Sequence, residues 1–417
     1  MLISVPLSRA AGNISLMLLG LFSLLQFRKH LFFRVEYQLL LPVALFLLML
    51  ISLFWSIDFA ETANALWKEL TLFAIPVCFL LFPVFSKSQK TKILNAYAYG
   101  MAVLSVYYLV RAAVRFAMHG DPGVFFYHDL VDEKLNAIHV TVYMAVAFFA
   151  MLVKKGKDTI DKVSLGLLFL MILLLSSKNI IVVVFSLLAV YYLFYSGKSR
   201  LKKTYILISL PLLLAAVLLF TKVSDRFKVE YNSVMTDNTI NEQLSQPNAK
   251  VYNMSVRQAW EQDKFEPNDF FAGTSFRVYQ LRIFIEMLKE DHIFFTGYGL
   301  NASYTKVKSK AIEHNLYLGN GSEPGYQNKN FHDQYVQNFA ELGIFGLLLL
   351  VVMLFVTLRN GIKAKDFVHI SFAILMISLF LTESFLWRQR GVMFFTVLYC
   401  LFNSGIAYLA PRKRKKL

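Results

Sequence analysis

Apolar runs of about 18 to 22 residues recur along most of this chain, and they limit what it can fold into. A run of that length crosses a bilayer as one helix. We place spans at residues 12–27, 37–55, 64–84, 93–116, 137–153, 161–176, 179–195, 204–221, 333–357, 367–386 and 391–409. The 417 residues are 57% hydrophobic, which suits a membrane protein. The expected class is an all-α polytopic membrane protein with about 11–12 transmembrane helices and one large loop. Three regions follow: helices at 1–221, a loop at 222–332 and helices with a basic tail at 333–417. Met1 to Pro6 is apolar and reads as the stub of another helix.

The net charge of +16 does not point to nucleic acid. Short basic clusters stand between the apolar runs: Arg28 to Arg34, Lys87 to Lys92, Lys154 to Lys162, Lys198 to Lys203, Arg359 to Lys365 and Arg412 to Lys416. That is the positive-inside pattern of a multi-pass protein, and it also suits contact with anionic membrane lipids. The large loop is balanced, with 13 Lys and Arg against 13 Asp and Glu between residues 222 and 330. Placing every cluster in the cytoplasm makes the spans alternate. The residues then expected together on the outer face are 55–65, 114–136, 176–179, the large loop and 386–391. Cys78 and Cys400 lie in apolar runs and form no disulfide or metal framework.

Within the loop, residues 275–290 have helical periodicity. Phe276, Tyr279, Ile283 and Met287 share one face, which reads as a helix lying on the membrane surface. Arg277 and Arg282 lie roughly 140° apart around it and need not face one ligand. The loop ends at His332, where a membrane-grade apolar run begins. Gln334, Asn338 and Glu341 follow at i, i+4 and i+7, so they share a face. A polar face continuing from His332 reads as the wall of a cavity. Lys178, Glu383 and His139 are further polar groups near span ends, where charges are functional candidates by default. Plainer readings exist for each. Lys178 can snorkel, Glu383 can pair with Arg388 and Arg390, His139 can be a helix-end polar group, and the arginines can face headgroups. The acidic run Glu261 to Asp269 has no metal-site pattern, and there is no phosphate-binding loop or dinucleotide fingerprint.

The chain resembles the O-antigen ligase/polymerase family of bacterial inner-membrane proteins. Its His-led segment matches His332 to Gly346, with Glu341-Leu342-Gly343-Ile344-Phe345-Gly346 as the E-x-G-x-x-G part. Its Ser/Thr-x-x-Arg helix matches Thr274 to Arg277, its Gly-x-Gly turn matches Gly297-Tyr298-Gly299, and its outer Ser-Arg matches Ser177-Lys178. PLSRAAGNISL (6–16), FWSIDFAETANALWKELTLFAIP (54–76), the His139 helix and TESFLWRQRG (382–391) extend the resemblance to ligase-like members typical of Bacteroidetes. Lysine stands at 178 where the family has arginine, and aspartate at 333 where it has asparagine. His314-Asn315-Leu316 imitates the motif start, but no E-x-G-x-x-G helix follows it.

The resemblance implies a GT-C-like inner-membrane enzyme with its catalytic face in the periplasm. It implies transfer of a glycan from undecaprenyl diphosphate to lipid A-core or another glycan acceptor. Such transfer inverts the anomeric carbon and uses no cofactor or metal. His332 is then the base. Arg277, Lys178 and, less firmly, Arg282 or Arg388 hold the pyrophosphate. Glu383, Arg390, His139, Gln334 and Asn338 support them. The same chemistry serves a polymerase with a lipid-linked repeat as acceptor, or a protein O-oligosaccharyltransferase. A transporter without chemistry would need internal repeats and broken mid-membrane helices, which the sequence lacks.

Overall fold

The computed structural model describes residues 1–27, 36–132, 135–197, 199, 201, 204–205, 208–211, 231–242, 244–320 and 325–405. The chain is an all-α polytopic membrane protein, with short strands confined to the large loop. Ten of the eleven expected spans coincide with helices. The eleventh, 204–221, lies mostly outside the described residues, as do the basic clusters at 28–34 and 412–416. Among the described residues, five helical stretches are long and apolar enough to cross a membrane. Arg9–Leu25, Ala137–Val153 and Phe367–Phe380 are apolar but shorter.

Polar residues at the expected boundaries start these helices. Ser86 and Gln89 form a capping box, as do Asp158 and Asp161. Asn136, Asp333 and Asp366 each accept a backbone N–H of the turn they precede. Asp58 caps a helix that begins at Phe59, so this helix starts five residues before the expected span. The Ala137–Val153 helix is the bundle's axis. Fifteen of its residues are buried, and it packs on Lys87–His119, Thr159–Leu174 and Phe367–Phe380.

The large loop folds into a unit with its own core. Strands β1 (Thr239–Ile240), β2 (Tyr252–Met254) and β3 (Asp269–Phe271) pair in that order, β1–β2 antiparallel and β2–β3 parallel. The helix expected at 275–290 runs Gly273–Glu290, but its apolar face is covered by protein rather than left for a membrane. Phe276, Tyr279, Ile283 and Met287 are buried against Phe265, Phe271, Val307 and Phe331. A one-sided apolar helix needs a cover, and here the loop's own side chains supply it. A second helix, Ser303–Glu313, follows the Gly297–Gly299 turn.

The loop is fastened to the bundle at a break in the Gln334–Ala364 helix. Gly343 is left-handed there, with φ 64°. The break frees the carbonyls of Ala340 and Glu341 and the N–H of Ile344. Tyr298 N–H donates to Ala340 O (2.9 Å), Gly299 N–H to Glu341 O (2.9 Å), and Ile344 N–H to Phe294 O (2.8 Å). The approach leaves no room for side chains. A Cβ on Gly297 would stand 2.3 Å from the Glu341 carbonyl carbon, and one on Gly343 equally close to that of Phe295. The two glycine motifs of the sequence are therefore two halves of one joint. On its other side the turn meets the 52–62 connector. Ile57 N–H donates to Tyr298 O (3.0 Å), Trp55 Nε1 to Thr296 O (2.9 Å), and Thr62 Oγ1 to Leu300 O (2.7 Å).

Gly343→Ala is expected to destabilise the protein by at least about 1–3 kcal/mol, because it adds left-handed strain to a backbone clash. Gly20→Ala, at a helical position with open space around it, should not. Thermal midpoints of the two variants in detergent check this, and equal midpoints would refute the joint.

Candidate functional site

Five segments expected on one face do meet. Trp55 bonds to the loop at Thr296, Asn179 to Thr382, Asn301 to Trp387, and Leu135 shares a cavity with Arg388. The centre of this face is the turn from Thr382 to Arg388, between the Phe367–Phe380 and Gln389–Asn403 helices.

Glu383 is buried in this turn and contacts two of the sequence-chosen residues. Arg277 Nη2 lies 3.3 Å from its Oε1, and His332 Nδ1 lies 3.9 Å from its Oε2. Arg277 is further fixed by Nε to Thr382 O (3.0 Å) and Nη1 to Gly273 O (3.0 Å). His332 is half-buried against the Phe276 ring, at a centroid distance of 5.8 Å. Its backbone is left-handed, with φ 49°, an uncommon state for a residue with a β-carbon. Its N–H donates to Asn330 Oδ1 at 3.1 Å. Asp333 then caps the next helix, accepting from Tyr335 and Val336 N–H at 2.8 and 2.9 Å. Asparagine could make the same cap, so the departure at 333 preserves this function.

Lys178 is the first residue of the Lys178–Val190 helix. Its neighbour Asn179 donates to Ser378 O (2.8 Å) and Thr382 Oγ1 (3.0 Å), while Ser378 Oγ donates to Asn179 Oδ1 (2.6 Å). The hairpin that carries Lys178 is thus tied to the same Thr382 whose carbonyl accepts from Arg277.

Other expected residues stand elsewhere. Arg282 faces away from Glu383, into the loop unit, where it binds Glu286 (2.8 Å), Gln262 O (2.7 Å) and Asp263 (3.0 Å). That follows from its angular offset from Arg277. Gln334, Asn338 and Glu341, expected on a cavity wall, are buried. Gln334 accepts from Leu386 N–H (2.7 Å) and donates to Asn338 (2.7 Å). Gln337, which sequence reasoning passed over, donates to Glu341 and accepts from Ser384 (3.4 Å) and Phe331 N–H (3.3 Å). The stripe holds the 384–386 turn and the approach to His332. Glu383 pairs with Arg277 rather than with Arg388 or Arg390. Those two line a separate cavity with Arg9 and His139. His314 lies inside the loop core, 3.1 Å from Tyr279 Oη and 3.3 Å from Glu286, and burial lowers its pKa.

Residues 163–351 match the family model described as O-antigen ligase. Over that stretch the chain is similar to the O-antigen ligase family. The matched segment contains Lys178, Arg277 and His332, and it ends before Glu383. No curated protein matches the chain. The similarity suggests activity of the ligase or polymerase type, acting on a lipid-linked glycan and a glycan acceptor.

Burial pushes the Glu383 carboxyl up, but His332, His139 and Arg277 pull it further down, so it sits below its ordinary value. A folded-state pKa below the unfolded one means stability that is present above about pH 4.5 and lost as pH falls through the folded value. Glu383→Gln should flatten the thermal midpoint's decline in that acid window. Parallel wild-type and variant curves would show that Glu383 is not held ionised.

Proposed function

We propose that this protein transfers a glycan from undecaprenyl diphosphate to a sugar hydroxyl of lipid A-core. It does so with inversion and without a metal, on the periplasmic face of a bacterial inner membrane. The observation that carries the reading is Glu383, shared by a guanidinium at 3.3 Å and an imidazole at 3.9 Å. The reaction has two demands: stabilising charge on a leaving diphosphate and taking a proton from the acceptor.

Arg277 answers the first with a planar fork suited to phosphate oxygens. Lys178, on the hairpin fastened at Thr382, adds a second cation. Charges fixed before the reaction act where charge develops and need little reorganisation. His332 answers the second. The acceptor oxygen forms a bond to the anomeric carbon from the face opposite the diphosphate. The old carbon–oxygen bond breaks, and its electron pair leaves with the diphosphate. The hydroxyl proton goes to His332 Nε2, the ring nitrogen left by the Nδ1–Glu383 contact. Glu383 orients the ring and stabilises the imidazolium, as a carboxylate does behind other catalytic histidines.

The test uses purified protein in detergent with EDTA, synthetic undecaprenyl-diphosphate glycan and lipid A-core acceptor. Arg277→Ala would leave Glu383 buried without its cation, so Arg277→Lys is the informative variant. His332→Gln should slow transfer about a hundredfold or more, and Arg277→Lys should slow it as well. Lys264→Gln, at an exposed loop position, should retain wild-type rates. Full activity of His332→Gln would remove it as the base. Polymer formed from donor alone, with no product on lipid A-core, would identify a polymerase.

A further inference from the structure

A second cationic site lies beside the one just described. Arg9, Arg388 and Arg390 line a cavity of about 720 Å³. An inner extension reaches His139 and Tyr143. Arg277, His332, Glu383 and Lys178 are not among its lining residues. Among the described residues that line it, none is acidic. The nearby Asp132 is engaged by Arg111 at 3.0 Å.

Three features make this an anion site. First, three guanidinium groups line one cavity with no carboxylate among its described lining residues. Like charges so grouped repel one another unless an anion joins them. Second, the inner end holds buried donors with no hydrogen-bond acceptor among the described residues: Arg390 Nε and Nη1, and the hydroxyl of the fully buried Tyr143. Buried polar groups are normally satisfied, so these call for an acceptor from outside the chain. Third, the helices Arg9–Leu25, Ala137–Val153 and Gln389–Asn403 all begin here. Their N-cap residues Ser8, Asn136 and Arg388 line the cavity. Each helix start carries partial positive charge and favours an anion.

We propose that this cavity binds a lipid-borne phosphate group. Guanidinium forks match phosphate oxygens, and the first turns of three membrane helices place them where an amphiphile's headgroup would rest. The site itself stands apart from the glycan-transfer reading. Only the assignment of its phosphate to a substrate rests on that reading, and two sources share the chemistry: the donor's diphosphate and a phosphorylated acceptor glycolipid. The turn from Glu383 to Arg390 joins both sites, so a transferase uniting two membrane-anchored molecules would hold one headgroup at each end of it.

The test is equilibrium binding to the full chain in detergent, with no transfer required. The probes are undecaprenyl diphosphate, a bisphosphorylated lipid A-type glycolipid, and that glycolipid after removal of its phosphates. Arg9→Gln/Arg388→Gln should weaken one phosphorylated lipid by about tenfold or more, and Arg9→Lys/Arg388→Lys by less. The lipid that loses affinity names the source. Wild-type affinity for both phosphorylated lipids in the Gln variant would overturn the proposal. So would an equal loss for the dephosphorylated lipid, because the effect would then be one of packing. Lys264→Gln, at an exposed loop position, should leave this binding unchanged, and because no transfer is read, failure of the base assignment reads differently from failure of this site.

Discussion

The break at Gly343 is the constraint on which the face that carries Glu383 depends. An unbroken helix satisfies its own backbone and offers nothing to a neighbour. Here one left-handed residue exposes two carbonyls and an N–H, and the loop supplies their partners at Phe294, Tyr298 and Gly299. Backbone groups buried at such a junction must pair, so the joint fixes the loop in one register. The same turn grips the 52–62 connector, and Asn301 reaches Trp387 (2.6 Å). The Gly273–Glu290 helix, packed into the loop core, then delivers Arg277 to Glu383, while the start of the kinked helix presents His332.

Much of the site was legible as parts. The apolar runs set the class, and their alternation grouped the segments that meet on one face. His332 was preferable to His314 because a membrane helix follows it; His314 lies in the loop core. Arg277 and Arg282 were separable by angle alone, and they do face different partners.

The assembly of those parts was not legible. Periodicity shows that the 273–290 helix has an apolar face, but lipid and protein cover such a face equally well. The stripe of Gln334, Asn338 and Glu341 shows that polar groups share a direction. It does not show whether they look into water or bind a neighbouring turn, and they do the latter. For Glu383 the sequence offered Arg388 and Arg390 as partners, and the structure gives it neither. The one it takes is 106 residues away, brought by the loop. Arg9 stood within a recognisable motif, yet only the convergence of three helix starts gives it company.

The central claim is that Glu383 acts through His332 in the proposed transfer. A double-mutant cycle on the single-turnover rate tests it most directly, with His332→Gln, Glu383→Gln and the pair. If the carboxylate works by orienting and stabilising the imidazole, its loss matters little once the imidazole is gone. The double variant should then be about as slow as His332→Gln alone. Losses that multiply would mean that the two residues act independently, and the account of the site would be wrong.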